Sequence, residues 1–296
     1  MKDSFSEFHP IVNFAYFALI IGCSMVFMHP VCLVISILFS FLYSIYLNGK
    51  RAIKFNLLYM IPILIVTALI NPAFNHEGIT ILDYLPSGNP LTLESITYGI
   101  ASATMFISVI CWFSCYNAIM TSDKFIYLFG RIIPALSLVL SMVLRLVPKF
   151  KTQLAVVSSA QRCIGRDVFN GSILARIRNG TRILSIMTTW MLENAVETAA
   201  SMRSRGYGLK RRTAFSLFRF ERRDRSALLA IATVGGYTLF GSYSNAMYFR
   251  YFPSMRGTEI SVYNASVFLA YALLCSIPLV INVREGIRWK YSQSNV

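Results

Sequence analysis

Ile11 to Met28 is a long apolar run, His29-Pro30 breaks it, and Val31 to Leu47 resumes it at once. At 1.5 Å per residue, each run matches the hydrocarbon thickness of a bilayer, about 30 Å. Two such helices joined by so short a break form a tight hairpin. Further apolar runs follow at Phe55 to Ile70, Ile96 to Ala118, Ala227 to Phe240 and Val262 to Ile281. The third holds Pro62, which membrane helices tolerate because neighbours satisfy the freed carbonyl. Of 296 residues, 55% are hydrophobic and 14% charged, where a soluble domain is about a quarter charged. The fold class expected is an all-α integral membrane protein with about six spans, near 11–28, 31–47, 55–70, 96–118, 227–244 and 262–282, plus a cytoplasmic domain of amphipathic helices.

The loops orient these spans. Lys50, Arg51 and Lys54 follow the second run and place that turn in the cytoplasm. The N-terminus is then also inside. Asn71 to Glu94, polar and rich in turn residues such as Pro86-Ser87-Gly88-Asn89-Pro90, lies outside. A further apolar run, Phe125 to Val147, is interrupted by Arg131, Pro134 and Arg145. If it spanned, the basic stretch after it and the basic tail Arg284 to Val296 would both lie outside, against the positive-inside rule. It is therefore read as a helix along the cytoplasmic face. Three regions result: 1–124 with the N-terminal membrane helices, 125–225 as the cytoplasmic helical domain, and 226–296 with the last two spans. Both termini are expected inside a multi-pass plasma-membrane protein. Asp3 and Glu7 precede the first run, which has no small-residue cleavage site before Pro30, so no cleavable leader is expected.

Pro148 to Arg225 carries sixteen Lys/Arg against five Asp/Glu, eleven of the fifteen net positive charges. Contact with anionic lipid and orientation of the chain account for part of this charge. Within it, Lys149 to Gly165 reads as an amphipathic helix with its stripe at Phe150, Leu154, Val157, Ala160 and Ile164. A second helix, Thr181 to Arg205, has its stripe at Leu184, Met187, Met191, Ala195, Thr198 and Met202. Glu193 and Glu197, one turn apart on another face, suit pairing with arginines of the first helix. Gly165 and Gly206 are the natural stops. Arg203 and Arg205 fall in the last turn, where the helix dipole favours cations. An arginine at a helix tip also projects past the end, with a planar fork suited to a carboxylate of another protein.

Other chemistries find little support. Cys111 and Cys115 share a helix face, but no histidine or second cysteine pair joins them, so apolar packing is the reading and no metal or cofactor is implied. An intramembrane lipid- or prenyl-modifying enzyme would need paired carboxylates or a His–carboxylate set. His76, Glu77, Asp83 and Glu94 are the only such cluster outside, and they fall in the turn-rich loop. A membrane-anchored nucleic-acid binder would need aromatics among the basic residues, and only Tyr207, Phe215, Phe218 and Phe220 are present. With no Gly-Lys-Ser/Thr phosphate cradle, any ATP hydrolysis belongs to a partner.

Ala160-Gln161-Arg162-Cys163-Ile164-Gly165-Arg166-Asp167 and Met202-Arg203-Ser204-Arg205-Gly206-Tyr207-Gly208 resemble the two Ala-Arg-Gly segments of the transmembrane T component of energy-coupling factor (ECF) transporters. Asn71-Pro72, Asn75-His76, Gly78, Thr92-Leu93-Glu94, Tyr98-Gly99, Ser141-Met142, Arg145 and Pro148 extend the resemblance over roughly residues 5 to 230. It implies a non-catalytic subunit that links two ABC-type ATPases to a substrate-binding S component importing a vitamin or metal ion. It also implies that the two arginine segments end crossed coupling helices docked in the ATPases, with Arg205, Arg203 and Gly206 in one and Arg162, Arg166 and Gly165 in the other. Ile164 stands where the family's first arginine aligns. Either Arg162 or Arg166 substitutes, or that socket is filled by apolar contact. The last helix extends beyond the family pattern.

Overall fold

A computed structural model of the chain describes residues 3–49, 53–54, 58, 60–84, 90–130, 133–209, 218–259 and 261–293. The start of the expected third span, the charges Lys50, Arg51 and Arg131, the Pro86–Asn89 turn and Phe215 lie outside these residues. The described chain is helical: α1 (Pro10–Val26), α2 (Pro30–Asn48), α3 (Ile61–Phe74), α4 (Leu93–Ile119), α5 (Ser122–Gly130), α6 (Pro134–Cys163), α7 (Ile173–Ser204), α8 (Arg222–Tyr243) and α9 (Val262–Gln293). Two short antiparallel ladders sit in the connections, β1 (Ile81–Tyr84) with β2 (Pro90–Thr92), and β3 (Phe249–Arg250) with β4 (Arg256–Gly257). Contacts divide the chain into two compact units, Met1–Lys124 with Phe218–Val296, and Phe125–Leu217.

In the first unit, α2, α4 and α9 are long and apolar enough to cross a membrane, and α1 and α3 are shorter apolar helices. The same dipeptide starts α1 and α2. His9 and His29 are N-caps whose ring Nδ1 accepts from the backbone N–H of Ile11 and Val31, both at 3.3 Å, with proline at the first helical position. Helix α4 packs against α1, α2 and α3. Trp112 of α4 meets Tyr16 and Phe17 of α1 edge-on, and its indole N–H donates to Ser36 Oγ at 3.1 Å. Ser36 Oγ lies 2.9 Å from Ser24 Oγ, which lies 3.2 Å from the Tyr271 hydroxyl of α9. Hydrogen bonds between helices thus join α1, α2, α4 and α9 where water cannot compete. All six cysteines are free, five of them buried, and Cys111 Sγ lies 3.3 Å from Met60 Sδ.

The expected third span, 55–70, ends later than the sequence suggests: Asn71-Pro72-Ala73-Phe74 is the last turn of α3 rather than loop. Pro72 lacks an N–H, which frees the carbonyl of Ala68 one turn earlier. Gly99 of α4 lies against that carbonyl, and a Cβ there would fall 2.5 Å from its oxygen. Proline and glycine together let two backbones meet, so the helix continues past a residue that would end it in water. Helix α9 likewise runs past 282 to Gln293, so most of the expected basic tail is helical. The expected loop between α3 and α4 contains the β1–β2 hairpin.

The second unit also departs from expectation. Phe125 to Val147 is not one helix. It splits into α5 and the first half of α6, with Pro134 in the first turn of α6. The helix expected to begin at Lys149 therefore begins fifteen residues earlier and passes through Pro148. Helix α7 starts at Ile173 rather than Thr181, because Ser172 caps it by accepting from Ala175 N–H at 3.4 Å. Of the expected stripe, Met187 is buried and Met191, Thr198 and Met202 are half-buried, whereas Leu184, 60% exposed, and Ala195 face outward, and Ile183 is buried instead. Lys149 of α6 donates to Asn194 Oδ1 of α7 at 2.7 Å, with its ammonium 5.4 Å from the centre of the Trp190 ring. Glu193 and Glu197 are absent from the ion pairs of the described residues, which are Arg162–Asp167 and Arg223–Glu285.

Candidate functional site

The two arginine segments end their helices in the same way. At the end of α7, Arg205 is the cap residue and Gly206 follows with φ +79°. Gly206 N–H donates to Arg203 O at 3.0 Å and Tyr207 N–H to Met202 O at 2.9 Å. At the end of α6, Ile164 is the cap residue and Gly165 has φ +77°. Gly165 N–H donates to Arg162 O at 3.0 Å and Arg166 N–H to Gln161 O at 2.9 Å. Both are Schellman motifs, in which glycine takes the left-handed position and two otherwise unpaired carbonyls are satisfied.

This repeat sets the two segments in register without reference to any other protein. Arg203 corresponds to Arg162, Arg205 to Ile164, and Tyr207 to Arg166. Arg162, Arg166, Arg203 and Arg205 are all exposed. Ile164 is 64% exposed, a large apolar side chain where α7 presents a guanidinium. Arg162 Nε is 3.6 Å from Asp167 Oδ2.

Asp167 organises the connection to α7, a role the sequence reading missed. Its carboxylate accepts from Phe169 N–H at 3.0 Å and Asn170 Nδ2 at 2.8 Å. Its carbonyl accepts from Asn179 Nδ2 of α7 at 3.0 Å, and Arg176 Nε donates to Val168 O at 2.8 Å. The first tip is thereby fixed beside the first two turns of α7. Helix α7 has 32 residues, about 48 Å of rise, so the two tips stand roughly a helix length apart. An aspartate directly after a Gly-Arg stop is the signal that would have revealed this turn.

Of the other residues that carried the resemblance, those from Asn71 to Gly99 gather around the α3–α4 connection, whereas Ser141, Met142, Arg145 and Pro148 lie within α6. Glu94 is buried. Its carboxylate accepts from Thr80 Oγ1 at 2.7 Å and from Thr80 N–H at 3.3 Å. Thr92 Oγ1 donates to Glu77 O at 2.9 Å and caps α4 by accepting from Ser95 N–H at 3.3 Å. Gly78 fits against both, since a Cβ there would lie 2.6 Å from Glu94 Oε2. These side chains fasten a loop, and the carboxylate is spent on that loop.

No protein-family model matches the chain. It is 28% identical over 100 residues to the energy-coupling factor transporter transmembrane protein EcfT of Staphylococcus aureus (strain 04-02981). That match covers 33% of this chain and 37% of the relative's length.

Proposed function

We propose that the protein is the non-catalytic membrane subunit of an ECF-type importer, and that the capped ends of α6 and α7 dock on two ABC-type ATPases. The twin Schellman ends carry this reading. Each turns the chain away sharply and leaves arginines projecting from the tip of a long helix. The likeness to the Staphylococcus aureus transporter protein supports it.

Arg205 is the leading contact on one ATPase, with Arg203 beside it, because a planar fork at a helix tip pairs with an acidic groove. At the other end Ile164 replaces the fork, so Arg166, Arg162 and apolar contact carry that docking. Val139, Val143, Val147, Leu184, Leu192 and Val196 are exposed on α6 and α7. So much open apolar surface indicates a lipid or protein cover, and the S component is the partner proposed for it. The cargo belongs to that component.

The membrane arrangement we propose keeps six spans: α1, α2, α3 with the residues before it, α4, α8 and α9. Helix α8, with 22 residues, reaches about 33 Å, and Arg222, Arg223 and Arg225 at its start suit the cytoplasmic interface.

Arg205→Glu tests the reading. Co-purification of ATPase with the tagged chain is expected to fall about tenfold or more, as removal of a buried charge pair's partner implies. Undiminished assembly would sink the assignment.

A further inference from the structure

The chain enters the second unit after Lys124 and returns at Phe218. In the first unit, one short segment holds residues at both passages. Asp3 to His9 forms a 3-10 turn, Ser4–Glu7, whose Phe5 is fully buried.

Lys124 lies at the outgoing passage and is only 7% exposed. Its ammonium donates to Ser6 O, to Ile119 O at 3.1 Å at the end of α4, and to Asn13 Oδ1 at 3.0 Å, with the Asn13 amide oriented so that its nitrogen donates to Phe5 O. All three ammonium protons are used. At the returning passage, the Asp224 carboxylate accepts from His9 N–H at 3.0 Å and Glu221 N–H at 2.9 Å, completing the cap of α8. Phe220 packs edge-on against His9 at 5.2 Å, and the Arg223 guanidinium stacks 4.6 Å over Phe8.

The segment is itself anchored to α9 and α2. Asn282 Oδ1 accepts from Ser4 N–H at 2.8 Å and Phe5 N–H at 3.3 Å, while its Nδ2 donates to Asp3. The Tyr43 hydroxyl donates to Asp3 Oδ2 at 3.4 Å.

We propose that residues 3–9 form a strap that fastens both connections of the coupling unit to the membrane bundle, so that motion of α6 and α7 reaches the bundle as load rather than as slack. Two covalent connections join the units, and a flexible connection transmits displacement poorly. Here each connection adjoins a buried charged residue bonded to that segment, Lys124 donating to Ser6 O and Asp224 accepting from His9 N–H, and α9 and α2 hold the segment in turn. The positioning residues are Asp3, Lys124, Asp224 and Asn282. The strap's role rests on the coupling function proposed above, but its structure does not.

Hydrogen exchange on the full chain in lipid nanodiscs tests the strap, with Asn282→Leu as the variant. The substitution leaves the N–H groups of Ser4 and Phe5 without their acceptor and removes the Asn282 donor from Asp3. Exchange is expected to rise about tenfold or more in residues 4–8, 120–126 and 219–226 but not in the middle of α4, a local opening rather than global loss. Unchanged exchange at 120–126 and 219–226 would overturn the proposal. Lys124→Met acts from the opposite end and is expected to free residues 4–8. Unchanged exchange there overturns the proposal equally, should Asn282→Leu not fold.

The function is read on the complex isolated through a tag on this chain, with and without ATP. ATP is expected to change protection of those three segments in the wild type. In Asn282→Leu, with ATPase still bound, that response is expected to fall by more than about half. A full response in the variant would overturn the strap's role. If no ATPase accompanies the wild-type chain, the coupling reading fails, while exchange of the chain alone still decides the strap.

Discussion

Arg205 and Ile164 occupy the same capping position at the ends of two helices, one a fixed charge and the other a branched alkyl group. They are expected to contribute differently. Arg205→Ala should weaken ATPase binding more than Arg162→Ala, because Arg162 already neighbours Asp167. Pull-down of the ATPase by each variant from the same cells checks the order. Asp167→Ala should cost about 0.5–1.5 kcal/mol in the stability of the α6–α7 unit, since it removes the acceptor of Phe169 N–H and Asn170, both of which water can then reach, and thermal unfolding with proteolysis measures it. The arginines were legible in the sequence as helix-end residues. The turn that Asp167 closes carried its own local signal, an aspartate after a Gly-Arg stop, whereas its link to Asn179 of α7 did not. Burial pushes the Asp3 carboxyl above its ordinary 3.8 and holds the Lys124 ammonium below 10.5, partly opposed by the charge of Asp3. Just above pH 3.8, the folded chain therefore keeps a proton on Asp3 that the unfolded chain has lost, and stability falls as pH rises through the raised value. Just below pH 10.5, the unfolded chain keeps a proton that folded Lys124 lacks, and stability rises with pH there. Lys124→Met is expected to abolish the alkaline part of this dependence, read from unfolding midpoints across pH.

Helix ends decide the elements. Gly165 and Gly206 sit at φ +77° and +79°, where a side chain is strained. Gly165→Ala should destabilise the end of α6 by about 1 kcal/mol, with Gly165→Asn milder, and amide exchange at Gly165 and Arg166 reports it. Both stops were readable because glycine after an amphipathic run has one common use. The starts were less readable. Capped by Ser172, α7 starts eight residues before the expected position, since Asn179-Gly180 looks like a break in isolation. The helix expected from Lys149 begins at Pro134, and Pro148 lies inside it. Pro72 looked like the beginning of a loop, but Gly99 on another helix accommodates it. Gly99→Ala drives a methyl into the Ala68 carbonyl and should destabilise the α3–α4 contact by about 1–3 kcal/mol, seen as a lowered unfolding temperature in detergent. A local reading of proline cannot see a neighbouring helix that has yet to be placed.

For the molecule as a whole, apolar run length went furthest, because bilayer thickness is an external ruler that the sequence already matches. The helical class follows from that ruler. The polar links between helices, Trp112 to Ser36 to Ser24 to Tyr271, and the strap through Asn282 join residues far apart in the chain, which no periodicity reveals. The account's central claim is that the capped ends of α6 and α7 meet ATPases. A photo-crosslinking residue placed at 205, and separately at 164, in the full chain in its native membranes tests this directly, with the adducts identified by mass spectrometry. The account predicts an ABC-type ATPase joined at each position. Adducts to lipid alone, or to proteins without a nucleotide-binding domain, would contradict it.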